Sequence, residues 1–395
     1  MSKYSKVILF ISPYGIFLLL IIILESCGGE PERSESPPAS LLKMEILDSL
    51  MVDHIGSLAW CDINGENNLF LGMDTQTKDV LIIDRNGKTL RTFNKTGEYP
   101  EAVGSTPFAS PKFRNGDEWI LAGQRGVFTY DIHDGKPVSQ TRPEFTPLSN
   151  VLNVDADFIQ TASEEKALAY YPGREGEFSF YTRAEGLKME WIDLKKNTFE
   201  GVIPYPEASK FNSEEVYIII FAQPVFATSG QQLFLAFKND PVLYEYHWDN
   251  LETPVATYPL DLMDFQQRPG VDPNSVNLGA INIDYRDFFF GSLDKLFNYE
   301  NGSLVLQYRN GLNQEKYSEL SRTYPDSKDF LWNAGLNNKT RFALIDSLGQ
   351  IHEIGAPPIV GSLEFIDNKG FLWSSPTETF ERDYEVIYRT RLISE

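Results

Sequence analysis

The stretch "NLFLGMDTQTKDVLIIDRNGKTLRTF", Asn68 to Phe93, constrains this chain more than any other. It reads as three short strands, Leu69–Met73, Val80–Ile83 and Thr89–Phe93, divided by a polar turn and by "RNGK". Asn86-Gly87 predicts a two-residue type I′ hairpin with both central residues at positive φ. A lone hairpin is marginal in water, so the unit must pack against others. It recurs with decay at Glu118–Gln140, Leu187–Tyr205, Gln232–Leu260, Leu296–Gly311 and Arg341–Gly355, and Gly370–Ile393 ends the chain. Phased on Asp84, Asp131, Asp193, Tyr246, Tyr299 and Asp346, the copies lie 47, 62, 53, 53 and 47 residues apart. A meander of that period, copied about six times, predicts an all-β fold, a six-bladed β-propeller of four-stranded antiparallel blades, with seven as the other count. Aromatic residues, 13% of the chain with 27 Phe and 19 Tyr, favour strands. One blade has two apolar faces, and stacking blades around an axis buries both. Leu41–Val52 alternates weakly and is expected to complete the last blade beside the C-terminal strands.

The first forty residues belong to something else. Lys3 and Lys6 precede an apolar run from Val7 to Leu24 whose uninterrupted part is Ile16–Leu24. That part suits a signal-peptide core of ~7–15 residues better than a bilayer span of ~20; counted from Val7, a membrane anchor is the alternative. Leu24-Glu25-Ser26-Cys27 resembles the lipobox of bacterial lipoproteins. The resemblance implies cleavage after residue 26 and diacylation of the Cys27 sulfur, which anchors the chain to a lipid bilayer, palmitate being the usual acyl chain. Residues 1–26 are then a signal peptide, 27–40 a flexible tether rich in Pro, Gly and charge, and 41–395 the propeller. Glu30, Glu32 and Glu35 resemble the acidic export signal of surface lipoproteins in Bacteroidetes-type bacteria. The expected location is the cell envelope, in the outer membrane, facing the periplasm or the cell surface.

The formal net charge is −21. Such a field repels phosphate backbones, which argues against nucleic acid as a partner. With Cys27 acylated, Cys61 is the one remaining thiol, and its apolar setting in "SLAWCDI" predicts a buried core residue. The histidines His54, His133, His247 and His352 are scattered, and no zinc motif, nucleophile elbow or phosphate loop occurs. No catalytic residue, metal ligand or cofactor is assigned. "DINGENN", Asp62–Asn68, has oxygen ligands at alternate positions but lacks the terminal Glu of a calcium loop, and reads as a turn.

"IIDRNGKTLRTFNKTGEYPEAVG", Ile82–Gly104, is the most specific piece of the chain. Through Gly97-Glu98, Pro100 and Val103-Gly104 it resembles six-bladed TolB-like and NHL-like propeller lipoproteins of Bacteroidetes-type bacteria, a group largely uncharacterised in function. Tyr99 stands where that family has glycine. Some six-bladed lactonase-like propellers hold calcium in the central channel, so the resemblance implies calcium as the one cofactor to consider. Two surface clusters combine aromatics with arginine, the residue types enriched at binding surfaces: Tyr171, Arg174 and Arg183 in Tyr170–Gly186, and Tyr285, Arg286 and Trp332 in Asp284–Gly302 and Arg322–Asn333. Residues 314–324 suit a helical turn or two. The leading expectation is a lipid-anchored propeller that binds an envelope protein, peptide or glycan through its loop face. A calcium-dependent hydrolase or lactonase, with channel carboxylates, is the alternative.

Overall fold

The computed structural model describes residues 42–394 apart from 67, 149–157, 164, 175–178, 281 and 378–382. Cys27, the signal segment and the tether lie outside the described residues. Among the described residues no helix is long and apolar enough to cross a membrane.

The chain forms antiparallel meanders one after another. The first is β2–β5 (Leu58–Asn64, Leu69–Asp74, Asp79–Asp84, Thr89–Asn94), after an N-terminal strand β1 (Leu42–Val52) that belongs elsewhere. Then come β6–β9 (Lys112–Phe113, Glu118–Gly123, Gly126–Asp131, Pro137–Thr141) and β10–β13 (Ile159–Ser163, Lys166–Ala169, Leu187–Asp193, Thr198–Pro204). The fourth is β14–β17 (Pro224–Ser229, Gln232–Phe237, Asp240–His247, Ala256–Pro259). The remaining strands share one eight-stranded sheet: β18–β21 (Ser292–Asn298, Leu304–Arg309, Thr340–Ile345, Ile351–Gly355) and β22–β24 (Val360–Ile366, Leu372–Pro376, Glu385–Ser394), with β1 between β21 and β24. β1 runs antiparallel to β24 from Leu42–Ser394 to Val52–Glu385, with a register shift at Leu47. It meets β21 in parallel only at Leu42–Ile354 and Lys43–Gly355. The large sheet is therefore two meanders joined at one corner.

Both faces of the sheets are buried, which explains why the strands are apolar in continuous runs. In β3 and β4, Phe70, Leu81 and Ile83 pack with Trp60, Phe365, Trp373 and Ile387 on one side. Leu71, Met73, Val80 and Ile82 pack with Trp119, Leu121, Phe128 and Tyr130 on the other. Cys61 is buried in the second of these layers. Similar wedges fill β14–β17 against β18–β21 and β18–β21 against β22–β24 and β1. The first strands of the meanders stand side by side, β2 next to β6 and β22, β14 next to β10 and β18, β18 next to β22. Their C-terminal halves line one cavity of about 380 Å³, with Asp62, Lys112, Gln160, Thr228, Asn298 and Asp367 among its walls. This is a propeller-like arrangement of four-stranded antiparallel sheets about a shared axis.

Two details of the repeat differ from expectation. The β4–β5 turn is not type I′, because Gly87 has φ +81° while Asn86 stays at negative φ. Instead Asp84 Oδ1 accepts the amides of Asn86 and Lys88 at 2.8 and 2.9 Å, and the register shifts between Ile82 and Ile83. The carboxylate holds a type I turn, and the glycine absorbs the left-handed residue that follows. The other difference is phase. Tyr299 does not end a third strand as Asp84, Asp131, Asp193 and Asp346 do; it follows β18, the first strand of its meander. The third strand comes only after α1 (Gln314–Thr323) and α2 (Ser327–Asn337), inserted between β19 and β20. The expected turn or two at 314–324 is a ten-residue helix that ends at Thr323, and a second helix follows, started by the Asp326 side chain accepting from Lys328 and Asp329 amides.

Because among the described residues β24 alone pairs with β1 over its length, deleting residues 383–395 is expected to abolish cooperative thermal unfolding. An unchanged calorimetric transition would contradict this role.

Candidate functional site

Hairpin turns within a meander are short, while the connections into the third strand and onward to the next meander lie at the opposite end and are often long. Residues 170–186 join β11 to β12 there, and 205–223 join β13 to β14. Together they enclose a pocket of about 80 Å³ lined by Tyr170, Tyr171, Arg174, Tyr181, Arg183, Lys188, Glu190 and Tyr205, among others. The structure thus brings Tyr171, Arg174 and Arg183 to one pocket.

Their surroundings differ. Tyr171 is buried between the rings of Phe108, Phe145 and Phe199, and its hydroxyl donates to the Gly123 carbonyl of the preceding meander. Its ring is a wedge between sheets as well as a pocket wall. Arg174 forks onto Glu190, Nε to Oε1 at 2.7 Å and Nη2 to Oε2 at 2.6 Å, and lies 5.0 Å from the Phe145 ring centroid. The fork holds the Arg174 guanidinium above its ordinary pKa. Burial pushes the Glu190 carboxyl up while Arg174 pulls against it; the two-point geometry favours the charged pair. Lys188 sends Nζ to the Arg183 carbonyl at 2.9 Å and covers the Tyr205 ring at 4.5 Å. Arg174, Arg183, Lys188 and Glu190 all line the pocket, and of these Arg174 is forked onto Glu190.

Tyr285, Arg286 and Trp332 belong to a separate cluster. Arg286 lies 4.4 Å from the Phe290 ring and 5.1 Å from that of Tyr317. Tyr285 is exposed and its ring is 6.3 Å from Phe330. Trp332 is 64% exposed on α2. A small core of Phe289, Leu312, Leu320, Phe330 and Ala334 supports this lobe.

A buried polar network near the pocket has no counterpart in the sequence reading. Lys210 Nζ donates to Asn239 Oδ1 at 2.6 Å and the Arg268 carbonyl at 3.1 Å. Asn239 donates to the Gly291 carbonyl at 2.6 Å, Ser209 to Asp240 at 2.7 Å, and Arg268 to Asp287 at 2.6 Å. These bonds stitch three connections together, and their scattered positions share no spacing a sequence could display. Burial pushes the Lys210 amine down to about 8. Among the described residues no group of three or more His, Cys, Asp or Glu is placed to hold a metal ion.

No family model matches the sequence, and no curated protein matches it. Solved structures do match the fold. A DUF4221-family protein from Bacteroides vulgatus aligns with a TM-score of 0.58 at 9% identity, over 90% of this chain and 100% of that one. A protein from Bacteroides fragilis described as exported aligns at 0.51 and 12% identity, over 91% and 98%. A gluconolactonase from Xanthomonas campestris reaches 0.44 at 11% identity, over 89% and 91%. At such identities the first two show the fold alone.

Two outcomes follow from this geometry. Arg174→Met leaves Glu190 buried without its partner, and because the arginine is partly exposed the cost is about 2 kcal/mol, below the ~3–5 of a fully buried pair. Glu190→Gln in the same chain should restore most of it. A folded-state carboxyl pKa above the unfolded value loses stability as pH rises through it, so the Arg174→Met deficit should shrink on acidification from pH 7.5 towards pH 5, read by denaturant melts. For Lys210 the sign is opposite. Its amine is lowered in the folded state, so between about pH 8 and 10 the unfolded chain binds more protons and stability rises. Lys210→Met should flatten that part of the melting-temperature profile.

Proposed function

We propose that this chain is a six-bladed, TolB-like or NHL-like propeller lipoprotein of the outer membrane, acylated on Cys27, that binds a carboxylate-bearing peptide, protein or glycan at its long-connection face. The count of six treats the eight-stranded sheet as two blades meeting at Leu42–Ile354 and Lys43–Gly355, the second blade completed by β1. The N-terminal lipobox supports the anchor, and the Bacteroides origin of both fold neighbours agrees with it. The observation that carries the binding reading is the pocket on that face, where Arg174, Arg183 and Lys188 meet Tyr170, Tyr181 and Tyr205. An anionic group entering there would gain charge-assisted hydrogen bonds from the arginine and lysine donors that line it, while Tyr170, Tyr181 and Tyr205 supply apolar walls.

The test is retention on arrays of matched carboxylated and neutral glycans and peptides. Carboxylated probes should be retained, and Arg183→Glu or Lys188→Glu should weaken that retention at least tenfold in a chain that still unfolds cooperatively. Equal retention of neutral probes, or indifference to charge reversal, would refute the site. Labelled palmitate entering the wild-type chain but not Cys27→Ser tests the anchor separately.

A further inference from the structure

The α1–α2 insertion is supported by its own small core, so the propeller does not need it to bury its sheets. α2 buries Phe330 and Ala334. At 100° per residue, Trp332 stands opposite those two, with Lys328 and Leu336 beside it and Leu331 at the flank. Trp332, Leu336 and Leu331 are 64%, 52% and 38% exposed, and nothing crowds Gly335 between them. A helix apolar on both faces needs a second partner. The face is small, since eleven residues make a rod about 16 Å long and about 10 Å wide, well short of the ~800 Å² per side of a stable protein pair.

The position of the chain's entry point decides what covers it. Leu42, the first described residue, pairs with Ile354, and Ile354 pairs with Phe342 on β20. Phe342 follows the end of α2 by five residues. Two strand spacings, about 10 Å, therefore separate the start of the domain from the strand that α2 feeds. From Cys27 to Leu42 there are fifteen residue steps, at most ~50 Å of chain.

We propose that the Leu331–Trp332–Leu336 face of α2 rests in the headgroup layer of a zwitterionic lipid surface, as a second contact beside the acylated Cys27. This rests on the lipoprotein reading for its anchor. Tryptophan favours the membrane interface. Lys328 and Lys339, both exposed, bracket the apolar face in sequence and reach phosphates by extending their stems. Residues 314–341 carry five basic and four acidic side chains, so this segment escapes the repulsion that the remaining acidic surface would meet at an anionic membrane. A contact too weak for capture from solution suffices once a tether raises its local concentration.

The experiment couples the chain from Cys27 onward to phosphatidylcholine vesicles through the Cys27 thiol and a maleimide lipid; Cys61 is buried and stays out of the reaction. Chemical coupling makes the result independent of whether cells acylate Cys27, which palmitate labelling decides. Brominated acyl chains should quench part of the tryptophan emission, and Trp332→Phe should remove most of that quenching without changing the melting temperature. Leu336→Ser should reduce it at least twofold. Absence of quenching in the wild-type chain, or equal quenching in Trp332→Phe, would overturn the proposal. So would aqueous iodide reaching Trp332 equally in coupled and free protein, which would leave the face to a protein or glycan.

Discussion

Every sheet in this protein has two apolar faces, and that single constraint dictates the rest. A sheet such as β2–β5, with Phe70 on one side and Leu71 on the other, is satisfied only between two neighbours. A linear stack would leave its first and last members each with one bare face, so the stack must close. Closure here is done by β1, which crosses to β24 and places Met44, Leu50 and Val52 in the layers on either side of the seam. The ion pairs along that seam, Arg389–Asp48 and Arg391–Glu45 at 2.6 and 2.7 Å, are exposed and add little. Apolar burial and the hydrogen-bond ladder hold it.

What the sequence made legible follows from how local each signal is. The strands β3, β4 and β5 could be read almost to the residue because each is a short apolar run ended by a turn residue. The aspartates that phased the repeat turn out to be caps. Asp84, Asp131, Asp193 and Asp346 all accept amides two to four residues ahead, which is why one residue type recurs at that spot. Tyr299 has no such bond and fell out of phase, since thirty residues of helix and loop, 310–339, split its meander. The type I′ reading of Asn86-Gly87 failed because a dipeptide rule omits the carboxylate two residues earlier.

The candidate site was legible to the extent that one connection carries it. Tyr171, Arg174 and Arg183 lie within thirteen residues and share a pocket. Glu190 and Lys188 escaped notice because they sit in a strand whose apolar pattern gave no sign of a charged partner. The axial cavity was illegible for a stronger reason. Its walls come from first strands spread between Asp62 and Asn368, and spacing along a chain says nothing about residues brought together by ring closure.

The two ends of the ring are built differently, and this bears on where function resides. At one end the hairpin turns meet each other; a side chain at Gly65 would come within 2.6 Å of the Asn368 side chain in the β22–β23 turn, so these turns pack against one another. At the other end the connections are long and carry their own cores, ion pairs and helices. Burying the sheets already stabilises the fold, so a residue as exposed as Trp332 need not contribute to it. A chain that keeps Trp332 in water forgoes apolar burial that a shorter β19–β20 turn would have made unnecessary. Retaining that insertion makes physical sense only if something outside the domain covers it.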